Sequence, residues 1–147
     1  MNKQCYTCLA QSGERPIFPE GRITSGTFWT VGHGFPVGMK GWLVIVLKRH
    51  IEALHQVTSE EFQELSELIE RLSKALRELL NCEKEYLMCF AEAEHFNHIH
   101  FHLVAKPAHL PSELKGPKIF AMLNTDTASS LNKVELVEFC RKLKNLV

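Results

Sequence analysis

Apolar positions follow two different periods along this chain. Between Thr58 and Asn81, Phe62, Leu65, Ile69, Leu72, Leu76 and Leu79 recur at alternating three- and four-residue spacing, which builds one apolar stripe on a helix. Thr58-Ser59-Glu60-Glu61 has the form of a capping box, with the Thr hydroxyl and the Glu carboxylate each satisfying an orphan amide. The helix is predicted to start there and to stop at Asn81. Its stripe runs for under three heptads, which suits a core-facing helix better than a coiled-coil seam. A second stripe of Leu136, Phe139, Leu143 and Leu146 predicts a terminal helix from about Asn132.

Elsewhere the period shortens to that of strands. Phe28-Trp29-Thr30-Val31 reads as a strand, and Trp42 to Leu47 is a β-branched apolar run suited to the middle of a sheet. Ile17-Phe18 is a short extended piece, and the glycine-rich stretch Gly32 to Gly41 reads as a loop or hairpin connection. Glu85 to Glu92 and Ile99 to Ala105 predict two further strands, joined too tightly for a helix between them, so an antiparallel hairpin is expected. Turns are expected near Pro107, Pro111 and Gly116-Pro117. The sum is an α+β fold: a mostly antiparallel sheet of about five strands, one long helix packed on it and a C-terminal helix. One domain is expected over residues 1–147, with a core from 5 to 106 and a C-terminal extension from 107 to 147.

Composition narrows the function classes. The 147 residues are 45% hydrophobic and 23% charged, enough to bury a core and too apolar for a disordered chain. Seventeen basic and seventeen acidic side chains cancel, which argues against a nucleic-acid partner held by bulk charge. No apolar run approaches the ~20 residues of a membrane span, and Met1-Asn2-Lys3-Gln4 leads into no signal-type stretch. A cytoplasmic protein without a membrane partner is expected. Five cysteines, an odd number, do not suggest a disulfide framework. Cys82, Cys89 and Cys140 read as small buried hydrophobes.

The chemistry is concentrated in the histidines. There are eight, and His95, His98, His100 and His102 fall within eight residues. In His98-Ile99-His100-Phe101-His102-Leu103-Val104, a strand sends Ile99, Phe101 and Leu103 to the core and the three histidines to the other face, about 6.7 Å apart. Lys, Thr or Glu would be expected on an ordinary solvent face. The outer pair would lie about 13 Å apart, so one metal cannot take all three without a bend. Neutral imidazole is a good nucleophile toward phosphorus, and a middle histidine flanked by an anchoring one and a phosphate-contacting one uses all three.

This run resembles the signature of the histidine triad (HIT) family of nucleotide hydrolases and transferases. Gly41 to Ile51, with its Lys48-Arg49-His50, is similar to the family's strand and the basic stretch after it. Leu54, Thr58 and the capped helix continue the match, and Cys5-x-x-Cys8 resembles the N-terminal pair of many members; the likeness covers residues 5 to about 106. It implies that His100 is a nucleophile toward the α-phosphorus of a nucleotide conjugate, forming a nucleotidyl-imidazole intermediate, and that His102 contacts phosphate. His95 and Asn97 are further candidates for phosphate binding. Where members usually carry Gln and then Ser or Thr before the first triad histidine, this sequence has Glu94 and His95.

Cys5 and Cys8 have no preceding strand to make a thioredoxin-type pair. Two thiolates and two imidazoles make a tetrahedral structural zinc site, and the resemblance points to Cys5, Cys8, His50 and His98; a metal-free pair of cysteines is the alternative. No catalytic metal is expected. The resemblance also implies a homodimer and a small-molecule nucleotide substrate, a nucleoside phosphoramidate or a dinucleoside polyphosphate. Two other readings stand beside it: a nucleotide-binding or sensing module with little turnover, and a metalloenzyme with its metal on His98 and His100. His33, Lys106 and His109 read as loop residues, and His55, Glu60, Glu64 and Glu67 as solvated surface. Trp29, Trp42 and Phe28 read as core, with one aromatic available for a base pocket.

Overall fold

Thr58 starts the long helix as its sequence predicts. Its hydroxyl accepts the Glu61 amide at 3.3 Å while the Glu61 carboxylate accepts the Thr58 amide at 2.8 Å. The resulting helix, α2 (Ser59–Leu80), ends where Asn81 takes a left-handed conformation at φ 47° and returns its N–H to the Arg77 carbonyl. These elements belong to a computed structural model that describes residues 5–15, 22–123 and 130–147.

The buried face of α2 is Leu65, Leu68, Leu72, Ala75 and Leu76, each fully buried leucine contributing about 1.5–3 kcal/mol by the apolar area it removes from water. Phe62, the first residue of the predicted stripe, is exposed. Glu61 takes the inward position instead, because Arg49 clamps its carboxylate at 2.6 and 2.8 Å and the Trp29 indole donates to its carbonyl at 2.8 Å. That ion pair holds the Glu61 carboxyl below its ordinary value.

The sheet against α2 has five antiparallel strands: β1 (Thr24–Ser25), β2 (Trp29–His33), β3 (Trp42–Leu47), β4 (Lys84–Met88) and β5 (His100–Lys106), in the order β1-β2-β3-β5-β4. Alternation gives the central strands two different faces. Leu43, Ile45 and Leu47 of β3 join Phe101 and Leu103 of β5 in the core under α2. Trp42 and Val104 face the other way, into a smaller cluster with Leu110 and Ile119 of the C-terminal segment. In register, Val44 lies opposite His102 and Val46 opposite His100. The terminal helix, α3 (Lys133–Lys144), starts at its predicted cap, Asn132, and adds Leu136, Phe139 and Leu143 to the α2 core, leaving Leu146 exposed. Trp29 and Trp42 are wholly buried, as expected.

Several details depart from the sequence reading. The helix α1 (Tyr6–Ser12) carries the cysteine pair, with Cys5 as its N-cap. β4 stops at Met88, short of Glu92, and the chain reaches β5 through a connection in which Ala91 and His95 take positive φ. Ile17-Phe18 lies outside the described residues.

Three polar side chains read as loop or surface are structural. His33 ends β2 with 1% exposure; its Nδ1–H donates to the Gly34 carbonyl at 2.8 Å and its Nε2 accepts the amides of Gly41 (3.0 Å) and Trp42 (3.2 Å). Lys106 is buried at the end of β5 and pairs with Glu83. Glu64 accepts the amides of Thr27, Phe28 and Trp29 at 2.9–3.1 Å, satisfying the N–H groups of the turn that leads into β2. Among the described residues, no helix is long and apolar enough to cross a membrane.

Candidate active site and metal cluster

The histidine row divides where β5 begins. His98 precedes the strand in a turn closed by its own amide on the Phe96 carbonyl at 2.8 Å, and its ring turns to the end of β3. There its Nε2–H donates to the Leu47 carbonyl at 2.7 Å. The expectation that all three histidines line one face is therefore corrected: His100 and His102 share a face, and His98 is wholly buried beside the cysteines.

His98 sits in a cluster with Cys5, Cys8 and His50, whose ligand atoms all lie within 4.8 Å of one another. His98 Nδ1 is 3.2 Å from His50 Nδ1, 3.5 Å from Cys8 Sγ and 3.7 Å from Cys5 Sγ, and Cys8 Sγ is 3.3 Å from His50 Nδ1. Zinc–nitrogen and zinc–sulfur bonds of ordinary length, arranged as a tetrahedron, require separations of about 3.3 Å between nitrogens and about 3.6 Å between nitrogen and sulfur. The outer nitrogens are committed as well: His98 Nε2 to Leu47, and His50 Nε2 to the Glu52 carboxylate at 3.2 Å. With those protons outward, two imidazole lone pairs face each other across 3.2 Å, an arrangement that a cation between them relieves. The four residues fit zinc. Bound there, it would tie α1 to the end of β3 and to the start of β5.

The other two triad histidines line a cavity of about 570 Å³, floored by Val44 and Val46 of β3 and walled by Phe35, Phe90, Phe96 and Phe120. His100 Nδ1 lies 2.7 Å from the His98 carbonyl, which can only accept, so the proton is on Nδ1 and Nε2 carries a free lone pair. His102 is held in the opposite sense. The Trp42 indole, a donor only, reaches His102 Nδ1 at 2.9 Å, which leaves the His102 proton on Nε2. The two rings stand 4.9 Å apart, centre to centre. Burial lowers the pKa of both, and for His102 burial and the neighbouring His100 push it down to about 3. The site thus pairs a neutral imidazole that offers a bare Nε2 with a neutral imidazole that offers an Nε2–H.

The remaining predicted site residues lie elsewhere. His95 stacks on Tyr6 at 4.5 Å, and the Tyr6 amide donates to the His95 carbonyl at 2.8 Å. The turn from Ala93 to His98 carries His95 and the exposed Asn97 outward, so neither lines the cavity. Glu94 is exposed, and the carboxylate that reaches the cavity is that of Glu92. Two residues of the site were not singled out for it from sequence. Trp42 shares its strand face with Val44 and Val46, a signal that strand alternation carries. Phe120, 4.9 Å from His102 and 5.3 Å from Trp42, comes from a 3-10 segment (Gly116–Met122) that has no motif.

The HIT domain family model matches residues 33–109, just over half of the chain. This chain belongs to the HIT family. Membership supports a nucleotide-related hydrolase or transferase activity in general terms. No curated protein sequence matches the chain. Solved HIT structures share its fold. A HIT-like protein from Bartonella henselae superposes with a TM-score of 0.74 at 13% identity, covering 100% of this chain and 98% of that one. A zinc-bound histidine triad family protein from Mycobacterium smegmatis gives 0.66 at 19%, over 97% and 91%. A histidine triad nucleotide-binding protein from Sulfolobus tokodaii gives 0.69 at 16%, over 97% and 93%.

Proposed function

We propose that this HIT protein is a hydrolase or nucleotidyl transferase that attacks the α-phosphorus of nucleotide conjugates, nucleoside phosphoramidates or dinucleoside polyphosphates, through His100. The observation that carries the reading is the commitment of His100 Nδ1–H to the His98 carbonyl, which leaves the Nε2 lone pair for the cavity. In the first step Nε2 forms a bond to phosphorus as the bond to the leaving group breaks, and the leaving group departs with the electron pair. In the second, water or another acceptor displaces the imidazole, giving up a proton and restoring the lone pair. One hard displacement becomes two easier ones. The aromatic and aliphatic walls suit a nucleoside, and His102 Nε2–H supplies a donor for a phosphoryl oxygen.

In the same proposal, zinc on Cys5, Cys8, His50 and His98 is structural and supplies cross-linking, not chemistry at phosphorus; neither His100 nor His102 belongs to that set. The protein works as a homodimer, and light scattering at varied concentration tests that. Turnover of an adenosine phosphoramidate and a diadenosine polyphosphate tests the catalytic reading. Wild type releases AMP with and without chelator, His100→Ala does not, and a His100→Ala variant that still turns over refutes the covalent route. A second reading, a binding module with little turnover, is favoured by the charge of the cavity. Its described lining has no Lys or Arg and includes Glu92. Binding of AMP by an inert wild type would select it.

A further inference from the structure

Trp42 is wholly buried, and its one polar side-chain atom points at the candidate active site. The indole N–H ends 2.9 Å from His102 Nδ1. The two rings meet nearly at right angles, at 78°, with centres 5.8 Å apart. Phe120 packs edge-on against both, 5.3 Å from Trp42 and 4.9 Å from His102, and so encloses the hydrogen bond in aromatic surface. An indole N–H donates and never accepts. Opposite it, His102 Nδ1 has to be a lone pair, and a proton added there would set two donors against each other.

We propose that Trp42 is a positioning residue: its indole N–H holds His102 as the neutral Nε2–H tautomer, so that His102 meets a phosphoryl oxygen as a hydrogen-bond donor and not as a proton donor. The inference rests on the reading that substrate phosphate reaches His102. It adds to that reading a division of labour: His102 keeps its Nε2 proton throughout, and the departing group takes its proton from water. The division follows from the pair of locks, since His100 is pinned through Nδ1–H and His102 through a bare Nδ1.

The test is nitrogen-15 NMR of histidine-labelled protein at neutral pH, joined to kinetics. In wild type, His102 should show a bare Nδ1 and a protonated Nε2, and His100 the reverse. Trp42→Phe should mix the tautomers of His102 and leave those of His100 alone. Its kcat should fall roughly 10- to 100-fold, the worth of one hydrogen bond to a charged group. That loss should be equal for aryloxide and alkylamine leaving groups. A protonated Nδ1 on His102 in wild type overturns the inference, and so does a loss confined to the poorer leaving groups. Should Trp42→Phe not fold, the wild-type spectrum still decides the tautomer. His102→Gln then serves as the second variant: it can donate but cannot pass on a proton, so it should retain clearly more turnover than His102→Ala, and equal loss in the two counts against the inference. The outcome for His100→Ala is independent, so the covalent reading can fail while the tautomer stands.

Discussion

His98 and His100 are two residues apart, share a β-strand sequence pattern and are hydrogen-bonded in opposite senses. His98 gives its Nε2 proton to the Leu47 carbonyl and turns a bare Nδ1 to two thiols and a second imidazole. His100 gives its Nδ1 proton to the His98 carbonyl and keeps a bare Nε2 beside a cavity. Both imidazoles of the candidate metal cluster are thus tied through their outer nitrogens, whereas the cavity is open and His100 is tied on one side only. Which nitrogen an imidazole leaves bare in this protein is decided by the partner of its other nitrogen. His33 shows the limit: backbone groups occupy both of its nitrogens, and no atom remains for a ligand.

That contrast breaks most sharply under single substitutions on either side of it. His100→Ala should lower kcat on the order of 10³-fold or more, as loss of a covalent nucleophile does, and leave the melting temperature close to that of wild type. Cys8→Ser should do the reverse. It removes one ligand of the cluster, so metal analysis should find less zinc. Stability should fall by about 4 kcal/mol, the linkage expected for a site saturated about a thousandfold above its dissociation constant. Thermal unfolding with and without chelator checks this, because chelator should lower wild type to the level of Cys8→Ser and affect the variant little. Were Cys8→Ser to lose as much turnover per folded molecule as His100→Ala, the two regions would be one functional unit.

Much of this was legible in the residues. The α2 capping box and its stop at Asn81 rest on short-range spacing and are decided by short-range hydrogen bonding, whereas the Cys5-Cys8-His50-His98 grouping, which spans up to 93 residues, was legible only through the resemblance to a family. What spacing cannot report is which polar groups the fold will bury. Glu64 sits among the charges of a helix face, and only the arrival of the Thr27–Trp29 turn makes it an acceptor of three amides. Lys106 follows an apolar strand and becomes buried because Glu83 lies across from it. His95 belongs to the histidine cluster in sequence, but a left-handed backbone and Tyr6 take it away from the cavity. Phe120 enters the site from a segment without periodicity. Long-range closure settles these four positions, and no local pattern encodes it.

Two smaller effects sharpen the comparison by testing groups that have structure but no site. Burial pushes His33 down to about 4, so the folded protein keeps it neutral while the unfolded chain takes up a proton below about 6.5. Its contribution is present above 6.5 and is lost as pH falls toward 4, about 3 kcal/mol in all at 1.36 kcal/mol per unit. In metal-free protein, denaturant unfolding of His33→Gln should therefore show a shallower acid slope than wild type, by about that amount across the window. An equal slope would mean that His33 is protonated in the fold. Gly26→Ala should have the smallest effect. A Cβ there overlaps the Glu64 carboxylate, which has to withdraw from the amides of Thr27, Phe28 and Trp29. The cost should be about 1–2 kcal/mol, with kcat unchanged because the turn lies outside the cavity lining. A double-mutant cycle with Glu64→Ala isolates the cause. If the side chain of Glu64 is the obstacle, Gly26→Ala should cost little once that side chain is gone. An undiminished cost in the Glu64→Ala background would place the requirement for glycine in the backbone of the turn and not in the carboxylate that caps it.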